Sequence, residues 1–136
     1  MLASRRGASV ASKPKSDRKV QRLGEQAIQW GDFEKVDMRV GVVVRAERFP
    51  EARHPAYKLW VDLGPLGVKR SSAQITERYT PETLVGRQVI CVVNFPPKQV
   101  GSFTSEVLVM GAYTGRPAEV VLLRPDDPVT PGDKIG

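Results

Sequence analysis

The chain of 136 residues has few of the side chains that build reactive centres. It contains one cysteine, Cys91, and one histidine, His54, which excludes an intrachain disulfide and a zinc site made of several Cys and His ligands. His54 lies in a loop framed by Pro50 and Pro55, where we expect a solvated side chain rather than a general base. A Gly-rich phosphate loop is also missing from the sequence. We therefore predict a protein that is not an enzyme, with no catalytic residues and no metal or cofactor.

Long apolar runs are absent as well. No stretch approaches the ~18 apolar residues of a membrane-spanning helix, so we expect no membrane insertion. The lone Cys91 lies in the short run Val89–Val93 and is predicted to be a buried structural thiol. A chain without disulfides is typical of a reducing compartment, and we expect a cytoplasmic location.

The net charge of +6 is concentrated at one end of the chain. Residues 1–24 hold seven Lys and Arg and one acid, whereas the other 112 residues hold fourteen bases and fourteen acids. A generally cationic domain is therefore excluded. Residues 1–28 have the composition of a disordered basic tail, and their Arg- and Ser-rich start also fits a transit peptide. Residues 29–136 are predicted to form the folded domain.

The body has the alternation of apolar and polar residues that is typical of half-buried strands. A short helix is expected over 76–84, because Thr80–Pro81 pairs an N-cap residue with Pro at the first helical position. The predicted strands are 38–44, 57–63, 68–75, 88–94, 106–113 and 119–123. This order predicts an all-β protein of small α content. The best match is an OB-fold, a five-stranded Greek-key barrel with one helix between strands 3 and 4, here with N- and C-terminal extensions. An SH3-like barrel is the alternative.

The segment from Asn94 to Gly101 contains adjacent prolines, which predicts a stiff loop between two strands. A stiff loop displays side chains at little ordering cost, so we expect a recognition surface there. An apolar groove that accepts extended polypeptides could be built from these residues: Tyr57, Phe95, Pro96, Pro97, Val100 and Phe103.

A second interpretation is a groove for RNA, which needs cations along the phosphate path and groups that bond to bases and sugars. The candidates are Arg53, Lys58, Ser72, Gln74, Lys98 and Ser105. The alternative without a binding function is that the cations form a solvated rim and that Tyr57 belongs to the core.

Several stretches of the sequence resemble the CsaA proteins, which are members of the tRNA-binding-domain superfamily. The resemblance covers about residues 32–136 and is carried by Phe33–Gly41, Phe49–Arg53, Pro55–Leu59, Ser71–Thr76, Val92–Gln99, Ser105–Val109 and Val120–Pro125. It implies an OB-fold homodimer with an export-related chaperone activity towards unfolded or pre-secretory polypeptides. It also implies tRNA as an alternative partner, with a nucleic-acid surface on Ser72, Gln74, Lys98 and Ser105.

We therefore expect a chaperone, with binding of tRNA or structured RNA as the alternative. A third hypothesis is a scaffold role, in which the Pro-rich segment 124–136 crosses to a partner chain.

Overall fold

The structure, a computed structural model, describes residues 26–136. Most of the predicted basic tail, residues 1–25, lies outside the described residues, so that prediction and its boundary stay predictions. The chain divides into two units, the first ending at Lys35 and the second spanning Val36–Gly136. In the first, helix α1 (Trp30–Glu34) is capped by Gln29, and the Trp30 and Phe33 rings lie 5.5 Å apart between centroids.

The second unit consists of nine short strands and one helix. The strands are β1 (Met38–Arg48), β2 (Tyr57–Asp62), β3 (Val68–Ala73), β4 (Gln88–Val92), β5 (Lys98–Val100), β6 (Phe103–Ser105), β7 (Leu108–Val109), β8 (Gly111–Thr114) and β9 (Glu119–Leu122). Helix α2 (Pro81–Leu84) lies between β3 and β4, and a 3-10 turn (Gly64–Leu66) joins β2 to β3.

Five strands form one antiparallel sheet in the order β3-β2-β1-β4-β7. The sheet curls because the long strand β1 pairs with β4 through its first half and with β2 through its second, with a bulge between Val43 and Arg45. The outer strand β3 nearly closes the barrel, since the Arg70 carbonyl accepts hydrogen bonds from the amides of Glu106 (2.7 Å) and Val107 (3.2 Å). These features confirm the predicted OB-like, five-stranded all-β barrel with a helix between its third and fourth strands.

Alternate residues of the strands fill the barrel interior. In β2 the buried side chains are Tyr57, Leu59 and Val61, in the predicted period of two. Leu84 of α2 covers the same core. Cys91 is fully buried in β4, as expected, and this burial raises the pKa of its thiol to about 12.

Three boundaries differ from the prediction. The helix expected over 76–84 is confined to Pro81–Leu84, because Thr80 has extended backbone angles and caps it through the Thr83 amide. The strand expected over 106–113 is divided between β7 and β8. The expected loop after the prolines contains the β5–β6 hairpin, whose turn uses Gly101 with a φ of 58° that favours glycine.

The C-terminal segment runs back along β1 of its own chain. The Gly132 amide donates to the Val40 carbonyl (2.7 Å), the Val40 amide donates to Asp133 (2.9 Å), and the Ile135 amide donates to Met38 (2.9 Å). Residues 132–135 thus pair with β1 of their own chain. These contacts do not support the hypothesis that the C-terminal segment crosses to a partner chain.

Candidate functional site

An open groove of about 770 Å³ lies beside the double proline. One wall is the loop between β1 and β2 around Arg53, and the base is the end of β3 with Ser72 and Gln74. The other wall runs from Phe95 through β5 to Leu108. The predicted recognition surface next to Lys98 therefore coincides with a real concavity.

Five of the six residues predicted to bind RNA line this groove, namely Arg53, Ser72, Gln74, Lys98 and Ser105. The Ser105 hydroxyl accepts a hydrogen bond from the Ser72 amide at 3.0 Å, which fixes the two serines against each other. Within residues 26–136, no ion pair involves Arg53 or Lys98. Both cations are exposed and available to a ligand.

Lys58 lies elsewhere, on the outer face of β2. Its ammonium is 4.8 Å from the Phe49 ring centroid and 5.6 Å from that of Phe103. Both distances are within the range of cation–π attraction, so Lys58 serves to cover these rings. Lys58 does not line the groove, in contrast to the prediction.

Three of the six residues predicted to contact a polypeptide line the groove: Phe95, Pro96 and Val100. Pro97 is exposed but does not line it. Phe95 presents 55% of its surface to solvent, although it is a large aromatic residue. Exposure of this size on an aromatic side chain is what a contact residue needs before its ligand arrives.

Tyr57 and Phe103 are buried, at 4% and 6% exposure, so we correct the expectation that they contact a ligand. Tyr57 points into the barrel and its hydroxyl donates to the Tyr79 carbonyl at 2.6 Å. Phe103 packs edge-on against Phe49 and Trp60, with ring centroids 5.7 and 5.6 Å away. Phe103 thereby anchors the β5–β6 hairpin that forms one wall of the groove.

Among the described residues, Glu106 is the one acid that lines the groove. Its Oε1 accepts hydrogen bonds from the Arg70 amide (3.0 Å) and from Arg70 Nε (3.3 Å). Burial opposes ionisation, but the Arg70 amide, the Arg70 guanidinium and the charge of Lys69 together hold the pKa of Glu106 below its usual range. The carboxylate is therefore ionised at neutral pH.

Sequence reasoning missed Leu108, which lines the groove at 50% exposure. The alternation of side-chain directions along the predicted strand could have identified it. Val107 is buried, and the next side chain along an extended chain faces the opposite way.

Other chemistry is scarce in the described part of the chain. Among residues 26–136 no group of three or more His, Cys, Asp or Glu side chains is placed to hold a metal ion. In the same range, no helix has the length and apolar character needed to cross a membrane.

The fold and groove can be compared with known proteins. Residues 38–134 match the family model described as "Putative tRNA binding domain". Curated relatives are the methionine--tRNA ligases of Bdellovibrio bacteriovorus, 35% identical over 108 residues, and of Thermotoga maritima, 35% identical over 111 residues. These matches cover 79% and 82% of this chain but only 15% and 17% of the ligases, so the chain spans about a sixth of their length.

Solved structures of similar size are also similar in fold. The chaperone CsaA of Bacillus anthracis has 50% identity and a TM-score of 0.77, over 82% of this chain and all of that one. The CsaA chaperone protein of Picrophilus torridus has 50% identity and a TM-score of 0.76, over 81% of this chain and all of that one. A MetRS related protein of Pyrococcus horikoshii has 28% identity and a TM-score of 0.73, over 82% of this chain and 99% of that one. The chain therefore belongs to the tRNA-binding-domain family and, within it, to the CsaA proteins.

Proposed function

We propose that the protein is an export-related chaperone of the CsaA type that binds unfolded or pre-secretory polypeptides, without ATP and as a homodimer. The groove binds a short extended segment of the client. The chain carries out no reaction of its own in this role.

The observation that carries the proposal is an edge strand that lines a groove with exposed apolar side chains. Strand β5 pairs only with β6, so its second edge has no strand partner among the described residues. An extended peptide can add to such an edge through main-chain hydrogen bonds, which do not depend on the client's sequence. Phe95 and Leu108 lie on the same wall and offer apolar contact to the client's side chains.

The rigidity of this wall favours binding. Pro96 and Pro97 restrict the backbone before β5. Within the hairpin, Gln99 Nε2 donates to the Gly101 carbonyl (2.9 Å) and Gln99 Oε1 accepts from the Thr104 hydroxyl (2.8 Å). A wall that is ordered before the client arrives loses little conformational entropy on binding.

The test is suppression of aggregation of a chemically unfolded client, measured by light scattering without ATP. We expect the double variant Phe95→Ser, Leu108→Ser to lose most of the activity of the unmodified chain. The matched control is Val68→Ser, Val85→Ser, because these residues are 52% and 51% exposed and lie outside the groove. Equal activity of the two double variants contradicts the proposed groove.

The homodimer is tested separately by sedimentation velocity. The expected species has a mass of about 30 kDa, twice the 15.0 kDa of the chain. Two-fold symmetric dimers are the commonest soluble oligomers. A single species of the chain's own mass at micromolar concentration rejects this part of the proposal.

Binding of tRNA or structured RNA is the second candidate function. It is favoured by the family match and by Arg53 and Lys98, which no acid neutralises within the described residues. Each phosphate contact contributes about −0.7 to −0.9 to the slope of log affinity against log salt. We expect Lys98→Ala to reduce the magnitude of this slope by the amount of about one phosphate contact. Arg124 is a base outside the groove, and Arg124→Ala should leave the slope unchanged.

Deleting residues 1–28 separates binding by the basic tail from binding by the barrel. A gel shift that shows no complex at low salt removes this candidate.

A further inference from the structure

We propose that Glu106 is a specificity-determining residue. Its carboxylate lowers the affinity of the groove for polyanions and leaves the affinity for extended polypeptides nearly unchanged. This inference rests on the proposed function and names which of two ligand classes the groove selects.

The position of Glu106 gives it this influence. It lines the same groove as Arg53 and Lys98, which have no ion-pair partner within residues 26–136, and no other acid of that range lines the groove. A ligand that fills the groove therefore meets a negative charge as well as the two cations. Two donors of Arg70, the amide at 3.0 Å and Nε at 3.3 Å, bind Oε1 and hold the carboxylate in this position beside the groove.

The charge of Glu106 acts on polyanions through its partner as well as directly. The Arg70 guanidinium is only partly covered, with 41% of its side chain exposed, and it would otherwise be a phosphate-binding group next to the groove. Glu106 neutralises that cation. Affinity for nucleic acid depends mainly on the number of phosphates that are neutralised, so the loss of this one positive charge weakens RNA binding.

A polypeptide meets the same carboxylate differently. Both hydrogen bonds to Glu106 use Oε1, and Oε2 has no hydrogen-bond partner among the described residues. A carboxylate oxygen accepts hydrogen bonds readily from backbone amides, which a polypeptide supplies along its length and a sugar–phosphate backbone lacks. The groove therefore binds one class of ligand less tightly at little cost to the other.

The chain offers a matched pair of substitutions. Glu106→Gln removes the charge, nearly preserves the shape and keeps an oxygen that accepts from Arg70. Glu119→Gln makes the same change in net charge in another ion pair, Arg78 Nε to Glu119 Oε1 at 2.9 Å, outside the groove. The affinities of the full-length wild-type chain and both variants are measured for tRNA and for an uncharged unfolded peptide, each at two salt concentrations.

We expect Glu106→Gln to bind tRNA roughly three- to tenfold more tightly at low salt, the size of one charge interaction across about 4 Å in a water-like dielectric. Its salt slope steepens by up to about 0.9. Peptide affinity stays within about twofold, and Glu119→Gln matches the wild type in both assays.

The inference is overturned if Glu106→Gln leaves tRNA affinity unchanged, if Glu119→Gln raises it equally, or if tRNA binds to none of the proteins at low salt. A fall of peptide affinity by tenfold or more in Glu106→Gln also overturns it, because peptide binding would then depend on the negative charge that is lost and not only on an accepting oxygen. Failure of the wild type to bind peptide refutes the proposed function instead, and the tRNA comparison still decides the effect of Glu106 on polyanions.

Discussion

Phe95 and Phe103 are eight residues apart, and we predict opposite consequences when each is changed to Ala. Phe103 is 6% exposed and packs against the Phe49 and Trp60 rings, whereas Phe95 is 55% exposed in the groove. Phe103→Ala should lower the stability of the fold. Phe95→Ala should lower client binding and leave stability unchanged.

The magnitude follows from burial. Truncating a buried Phe to Ala costs about 3–5 kcal/mol, of which edge-to-face ring pairs supply about 0.5–1.5 kcal/mol each. Phe103 lies on the outer face of the sheet, where neighbours can relax into the space, so we expect the lower end, about 3 kcal/mol. Exposed Phe95 should contribute within about 0.5 kcal/mol.

Urea unfolding of the full-length chain measures both effects. With an m-value of about 2 kcal/mol/M, a loss of 3 kcal/mol lowers the midpoint by roughly 1.5 M. Phe103→Leu should recover part of this loss. A cost below about 1 kcal/mol for Phe103→Ala, or equal costs for the two Ala variants, would refute the assignment of Phe103 as the anchor of the groove wall.

Three further predictions concern other parts of the fold. Burial raises the pKa of Cys91 to about 12, so a thiol reagent at pH 8 should modify it only as the protein unfolds in urea; rapid modification of the native protein contradicts this. The hydrogen bond from Arg39 holds the pKa of Asp37 below its usual 3.8, so the stability it contributes is present above that value and lost as pH falls through the lower folded pKa. The free energy of unfolding should therefore fall less steeply with decreasing pH for Asp37→Asn than for the wild type. Parallel curves for the two proteins would show that Asp37 does not contribute to this pH dependence. Removal of residues 131–136 deletes three backbone hydrogen bonds to β1 and should cost about 2 kcal/mol, whereas an unchanged urea midpoint would show that this pairing is dispensable.

The strands of the barrel were predictable because each has one buried and one open face. Tyr57, Leu59 and Val61 alternate with half-buried residues, and this period of two is visible in the sequence. Thr80 and Pro81 supplied a start signal for α2, although the predicted helix began four residues earlier, at residue 76. These signals are local, so one sequence is enough to detect them.

The β5–β6 hairpin was not predictable in the same way. Its strands have three residues each, too short to show a period, and they follow two prolines that indicate a loop. The burial of Phe103 depends on Phe49 and Trp60, which belong to distant parts of the chain. For the same reason the sequence did not show that Lys58 lies over these rings and does not line the groove.

The central claim is that an extended polypeptide binds between the β1–β2 loop and the β5 wall. Hydrogen exchange of the full-length protein, with and without a saturating unfolded peptide, tests it most directly. We predict new protection in residues 52–56 and 95–101, with little change in the β8–β9 hairpin. Protection confined to β8–β9, or no change in either groove segment while the peptide is bound, would contradict the account.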